Sequence, residues 1–264
     1  VAVALSAASA LVYAAQSQAA AQGITSAPFG IGGEADREID AVLVDYDATE
    51  RMRTKARRSV VSLRAAMTQD ALATPGTAPT LEGGAVAIEA GGARFLLSAA
   101  ATLGGEQEAS VVLGDGKVVT AKRHAELPDV GLVLLTLVPW PTQLVPAELA
   151  PEGAPRRGAP ALALTGLGRN TPEQPSMEVV SKVYLMDTPE PEGESKPTEG
   201  VWVTDLELFW GYPLLDPSAR LLALTFARAE GTGRRSLAAD ANAIRKALAE
   251  MKPRDPASTS RPPR

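Results

Sequence analysis

An all-β sandwich or barrel closed by a C-terminal helix is the fold class this chain predicts, and three observations carry it. Short apolar runs recur at even spacing between residues 59 and 227. An Asp-Gly pair, Asp115-Gly116, sits between two of them, which is the strongest short-range signal for a β-hairpin. Behind the last run, "SLAADANAIRKALAEM" (236–251) opens on a Ser that suits a helix cap and spaces Ala241, Ile244, Leu248 and Met251 along one face.

The elements follow in chain order. The first residues, "VAVALSAASALVYAAQSQAAAQG", are an Ala-rich apolar stretch followed by small and polar residues, resembling a signal-peptide core and cleavage site. Residues 1–22 are therefore read as a signal peptide, with an uncleaved membrane anchor as the alternative. "GITSAPFGIGG" (23–33) reads as a linker. Residues 34–57 begin acidic and end basic, an order that complements a helix dipole, and place Ile39, Val42, Leu43 and Tyr46 at helical spacing; they predict one helix.

Strands are expected in "SVVSL" (59–63), "GGAVAIEA" (83–90), "RFLLSA" (94–99), "SVVLGDGKVVTAKR" (110–123, a hairpin on a two-residue type I′ turn) and "VGLVLLTL" (130–137). Later runs are "ALALTGLG" (161–168), "MEVVSKVYLM" (177–186), "VWVTDLELF" (201–209) and "RLLALTFA" (220–227). The acidic, proline-containing 187–200 segment is expected to be a solvated loop, and the basic, Pro-rich 252–264 tail to stay disordered.

Composition narrows the function. A net charge of −5 gives no positive field to draw a phosphate backbone, so nucleic acid is not an expected partner. With no cysteine there is no thiol nucleophile, disulfide or thiolate-held metal, and with one histidine, His124, there is no multi-histidine metal site. No cofactor is expected.

Four stretches in this order resemble the trypsin-like serine proteases, in particular their HtrA/DegP-like bacterial branch, over residues 56–251. "GGAVAIEAGGARFLLSAAATL" (83–103) is similar to the strands leading to the family's histidine. "VVLGDGKVVTAKRHAELPDVGLVLLTL" (111–137) is similar to the segment carrying its aspartate. "RRGAPALALTGLGRNTPEQPSMEVVSKV" (156–183) and "WVTDLELFWGYPLLDPSARLLALTFA" (202–227) are similar to the second half, the latter to the loop of the nucleophilic serine. The resemblance implies a trypsin-like double six-stranded β-barrel with a C-terminal helix and an N-terminal helical extension. No PDZ-like segment is expected after residue 251.

What the resemblance implies about chemistry is a loss. The histidine position falls on Ala101, the aspartate position on Gly131 and the serine position on Trp210, while Gly211 and Tyr212 stand for the loop's two glycines. Acyl transfer needs that hydroxyl and backbone N–H groups aimed at the oxyanion, and removing a whole triad costs on the order of a million-fold in turnover. The expectation is a pseudoprotease: a protein-binding or scaffold domain, exported and periplasmic or envelope-associated, with a protein or peptide partner and membrane contact only through an N-terminal anchor. Phe209, Trp210 and Tyr212 are candidate binding residues if exposed, since aromatic side chains dominate interface hot spots, and core filling if buried. Two alternatives stand beside this reading. One is an active endopeptidase whose displaced triad joins His124 and Asp129 to Ser98 or Ser110, which requires hydrogen-bond reach that the spacing does not enforce. The other docks the N-terminal helix and linker into a larger assembly.

Overall fold

The structure, a computed structural model, describes residues 34–66, 80–155, 157–165, 179–187, 200–208, 210–229 and 235–251. The expected signal peptide and linker, most of the acidic loop, the basic tail and Phe209 lie outside the described residues.

Two helices lead in, α1 (Glu34–Val44) and α2 (Tyr46–Arg57). Six strands then make the first barrel: β1 (Val60–Ala66), β2 (Thr80–Ala90), β3 (Ala93–Ala99), β4 (Glu108–Val112), β5 (Val118–Leu127) and β6 (Leu132–Leu137). Six more make the second: β7 (Ala159–Thr165), β8 (Val179–Asp187), β9 (Val201–Thr204), β10 (Pro213–Leu215), β11 (Leu221–Arg228) and β12 (Ser236–Asp240), followed by helix α3 (Ala241–Glu250). Both sheets are antiparallel and closed, in the orders β1-β2-β3-β6-β5-β4 and β10-β11-β12-β9-β8-β7. Closure leaves neither sheet with a free edge.

Strand side chains alternate between two cores. Val61, Leu63, Ala85, Ala87, Leu96, Val133 and Leu135 fill the first barrel; Ala161, Ala163, Val183, Leu214, Ala223 and Ala238 fill the second. The opposite faces of the same strands, through Val86, Leu97, Leu132, Leu134, Leu162, Leu164, Leu215 and Leu224, form a third cluster that joins the barrels and takes in Ile39, Met52 and Ala56 from the leading helices and Ile244 from α3. Burial on both faces explains why β6 reads Leu-Val-Leu-Leu-Thr-Leu without polar alternation. The connector between the barrels is tied to both, through Val145 N–H to the Arg58 carbonyl (2.7 Å), Ala147 N–H to Ala87 (2.7 Å) and Ala150 N–H to Leu221 (2.9 Å).

Four local expectations are corrected. Residues 34–57 form two helices, because Asp45 leaves helical geometry at ψ 107° and its carboxylate caps the amides of Asp47 and Ala48. Residues 236–240 are the twelfth strand and not the start of the final helix: Leu237, Ala238 and Ala239 pair with β9, closing the second barrel, and the cap is Asp240, which accepts from Ala243 N–H at 2.8 Å. The Asp115-Gly116 hairpin forms, but only Gly116 has positive φ (80°); Gly116 N–H bonds the Leu113 carbonyl and the Asp115 carboxylate accepts from Lys117 N–H, so the turn is not type I′. The 201–209 run ends as a strand at Thr204, whose hydroxyl donates to the Leu206 carbonyl and turns the chain.

Candidate functional site

Ala101, Gly131, Trp210 and Tyr212 lie where the barrels meet. β3 runs into a short 3-10 turn, Ala100–Thr102, and Ala100 N–H donates to the Gly131 carbonyl at 3.0 Å, which brings the Ala101 turn against residue 131. Trp210 arrives from the other barrel: its carbonyl accepts from Gly84 N–H at 2.9 Å, and the empty Cβ position of Gly83 lies 2.6 Å from that carbonyl oxygen and 2.7 Å from Thr102 Oγ1. Ala101 is exposed, Gly131 and Trp210 are half-buried and Tyr212 is buried. None of the three side chains at 101, 131 and 210 supplies a hydroxyl, an imidazole or a carboxylate.

The loop 206–216 is built by its neighbours. Its descending limb is held by Ser236, whose Oγ accepts from Leu208 N–H (2.9 Å) and donates to the Leu208 carbonyl (3.0 Å). At the base, Gly211 N–H donates to the Thr225 carbonyl (2.7 Å) and Tyr212 N–H to Thr225 Oγ1 (3.0 Å). Gly211 is obligatory, because it sits at φ +75° and a Cβ there would overlap the Gly84 carbonyl oxygen and stand 2.7 Å from Ser98 Oγ. Beyond it Pro213-Leu214-Leu215 is β10, and Asp216 folds the following turn by accepting from Arg220 N–H (2.9 Å) and Arg220 Nε (2.6 Å). The Gly-x-Pro-Leu-Leu-Asp frame is thus a packing unit, and three amides along this loop, those of residues 208, 211 and 212, already have protein acceptors.

Phe226, which sequence reasoning did not single out, completes the site. The pairing of β11 with β12 shifts between Thr225 and Ala227, so Phe226 sits on a bulge, and bulges re-aim side chains. Its ring lies where a side chain on residue 131 would go: a Cβ on Gly131 would be 2.6 Å from Phe226 Cδ2. Thr102, against Gly83, is fully buried, with an Oγ1 that has no protein partner among the described residues.

The residues of the displaced triad do not assemble among the described residues. Ser98 is fully buried and its Oγ donates to the Gly84 carbonyl at 2.6 Å. Ser110 is exposed on β4. His124 occupies a second bulge, between Arg123 and Ala125 on β5, and lays its ring against Phe95 with centroids 4.8 Å apart. Asp129 is exposed in the turn before Gly131 and lines a cleft of about 430 Å³ with Gly200, Asp240, Asn242 and Lys246. No hydrogen bond joins His124 to a serine or a carboxylate among the described residues, and no group of His, Asp and Glu there could hold a metal ion.

Among the described residues two titratable groups are perturbed, both around β8. Burial pushes the Asp205 carboxyl above its ordinary value, partly offset by the Tyr184 N–H that donates to it at 2.8 Å. Burial opposes the charge on Lys182, but hydrogen bonds to Asp36, Asp40 and Tyr184 outweigh it and hold the ammonium well above the usual lysine range.

The chain matches no protein-family model and no curated protein. Solved structures do resemble it. The Rv3671c protease in its inactive form superposes with a TM-score of 0.52 at 20% identity, covering 76% of this chain and 93% of that one. The active form of the same protease, from M. tuberculosis, gives 0.55 at 20% identity over 80% of this chain and 88% of that one. The HtrA-type protease AlgW with a bound tripeptide gives 0.56 at 18% identity, covering 76% of this chain and 63% of AlgW. The two closed six-stranded barrels and the C-terminal helix are the trypsin-like serine protease fold.

Proposed function

We propose that this chain is a catalytically inactive homologue of the trypsin-like serine proteases, which binds a protein or peptide partner as an envelope scaffold domain. The observation that carries the reading is the packing of Phe226 over Gly131, next to the turn of Ala101. Acyl transfer by this fold joins a nucleophile, a base and an orienting carboxylate. Here the three positions carry methyl, hydrogen and indole, and the volume a carboxylate side chain would need at 131 holds a phenyl ring. The engagement of Leu208 N–H by Ser236 further supports a loop organised for packing and not for an oxyanion.

Binding is the use that survives. The HtrA-type protease AlgW has been solved with a tripeptide. In this chain Trp210 is half-buried at the barrel junction and Leu206, in the same loop, is an exposed large apolar residue, so the loop offers apolar surface without a reactive group. Tyr212, in contrast, is 6% exposed and belongs to the core. The apolar start of the chain supports export to the envelope. The alternative, an endopeptidase built on His124, draws no support from a ring stacked on Phe95 and a Ser98 hydroxyl committed to Gly84.

The test is intact-mass analysis of the full chain after exposure to a fluorophosphonate, beside an active serine protease. No adduct is expected. A stoichiometric adduct on one serine would overturn the reading and make His124→Ala the next variant.

A further inference from the structure

Asp45 is the single non-helical residue between Glu34 and Arg57. The interruption is small: Asp45 N–H still donates to the Ala41 carbonyl (3.0 Å) and its own carbonyl accepts from Thr49 N–H (3.0 Å), so helical hydrogen bonding runs up to the residue and away from it. Only ψ departs, and the bend is held by the Asp45 carboxylate on the amides of Asp47 and Ala48 and by Thr49 Oγ1 on the Val42 carbonyl. On either side of it, Val44 and Tyr46 stand in water at 88% and 75% exposure, the largest apolar exposures among the described residues apart from Val138.

The helix before the bend carries a self-contained docking face. Ile39 enters the apolar cluster shared with Leu162 and Leu164 of β7, and Asp36 and Asp40 close on Lys182 of β8, the latter at 2.7 Å; Asp36 also meets Tyr184 Oη at 3.4 Å. The helix after the bend rests against β1, with Met52 and Ala56 in the same apolar cluster and Lys55 Nζ on the Ser218 carbonyl, while the helix before it rests against β7. Each helix thus keeps its own seat, and the bend is the only covalent reason that both seats are filled by one molecule.

We propose that α1 exchanges between two copies of this chain: Asp45 straightens, residues 34–57 become one helix, and α1 of each copy occupies the Lys182 seat of the other. A continuous helix of this length spans about 36 Å, which carries α1 away from its own β8. The surface that matches Asp36, Ile39 and Asp40 is then found on a second copy, where every contact of the docking face is remade. Reuse of one interface in trans makes such exchange inexpensive, and short hinges invite it. What is lost is the Asp45 cap and the Thr49–Val42 bond. In return the amides of Asp47 and Ala48 gain helical carbonyl partners, and the two hinge segments lie side by side about the two-fold axis, which covers Val44 and Tyr46.

The full chain, which has no cysteine of its own, permits a selective test. Light scattering of the intact protein across the micromolar range should show a dimer whose fraction rises with concentration, and Asp45→Ala, which removes the cap, should raise that fraction several-fold. In the Asp40→Cys/Lys182→Cys variant a short bis-maleimide should yield a covalent species of twice the chain mass. A monomer at every concentration in both wild type and Asp45→Ala, or a dimer in which this pair is bridged only within one chain, overturns exchange. Charge reversal supplies a second readout that does not depend on cross-linking: Lys182→Glu and Asp36→Lys/Asp40→Lys each break the seat within their own chain, but mixed together they should form a heterodimer in which each α1 meets the opposite charge on the other copy, and absence of that heterodimer also overturns the proposal.

Discussion

Gly131 and Phe226 occupy one space from opposite barrels. Gly131 has φ +64°, and the Cβ it lacks would stand 2.6 Å from Phe226 Cδ2. A side chain at 131 therefore meets two separate penalties, left-handed backbone geometry and a ring that must move. Gly131→Ala should destabilise the protein by about 2–5 kcal/mol. In a Phe226→Ala background the steric part is relieved while the backbone part stays, so the same substitution should cost about 1–3 kcal/mol less there. Denaturant melts of the four members of this double-mutant cycle give the coupling; strict additivity would refute the shared-space account.

Lys182 leads to a prediction about alkaline stability. Its ammonium is held by Asp36 and Asp40 and lies in partly buried space, so Lys182→Met should cost about 1–3 kcal/mol, the usual value for hydrogen bonds to charged groups. The folded protein holds the proton more tightly than the unfolded chain does. The stabilisation is therefore fully present below the ordinary lysine value of about 10.4 and is lost as pH rises through the higher folded value. Urea midpoints of wild type and variant should differ by a constant amount from neutral pH to about pH 10 and converge only above it. Convergence near neutrality would show that the carboxylates do not hold the lysine.

Much of this architecture was legible because strands buried on both faces write long apolar runs, and β2, β3, β6, β7 and β11 all do so. What misled were residues whose local preference opposes their tertiary use. Ala238 and Ala239 favour helix, yet the second barrel needs them as its sixth strand. The spacing of Ile39, Val42, Leu43 and Tyr46 suits one helix, but the last of these is exposed, because a single carboxylate turns the chain at Asp45. At the candidate site, positions 101, 131 and 210 were singled out through the frames around them. Phe226, Ser236 and Gly84 were not, since their roles arise where two barrels touch and leave no short-range pattern. A bulge that re-aims Phe226 has no signature in "RLLALTFA".

Asp205 should respond to pH in the same sense as Lys182, but in an acidic window. Burial raises its carboxyl, so the folded protein binds the proton more tightly than the unfolded one, and stability falls as pH rises from the ordinary aspartate value of about 3.9 to the higher folded value. Asp205→Asn keeps an oxygen for Tyr184 N–H and removes the charge. The variant should melt above wild type at pH 7, and the gap should close as pH is lowered through that window. A variant that melts lower at pH 7 would mean that the ionised carboxylate is stabilising where it sits.

Trp210 separates binding from folding. Being half-buried at the barrel junction, it should tolerate Trp210→Ala at a cost of about 1–2 kcal/mol, below that of removing a buried aromatic. Tyr212→Ala, at a buried position, should cost about 3–5 kcal/mol. If the loop is the partner-binding surface, binding of a peptide identified by display selection on the full chain should weaken at least tenfold in Trp210→Ala at a temperature where the variant is folded. Undiminished binding would move the partner surface away from this loop.

Placing a histidine, an aspartate and a serine at the three positions that the resemblance implies for a triad tests the proposed inactivity. In Ala101→His/Gly131→Asp/Trp210→Ser, the histidine has open space, because residue 101 is exposed, but the aspartate must displace the Phe226 ring and take a left-handed backbone. The serine would sit in a loop whose Leu208 amide is already bonded to Ser236. Preorganised geometry is what makes a triad reactive, and here both the orienting carboxylate and one nearby donor are compromised. The triple variant should give no fluorophosphonate adduct, and so should its combination with Phe226→Ala, because freeing the ring leaves the loop unchanged. Rapid labelling of the quadruple variant alone would show that Phe226 is the only barrier and that the Leu208–Ser236 pairing is not inhibitory. Labelling of the triple variant would show that neither is.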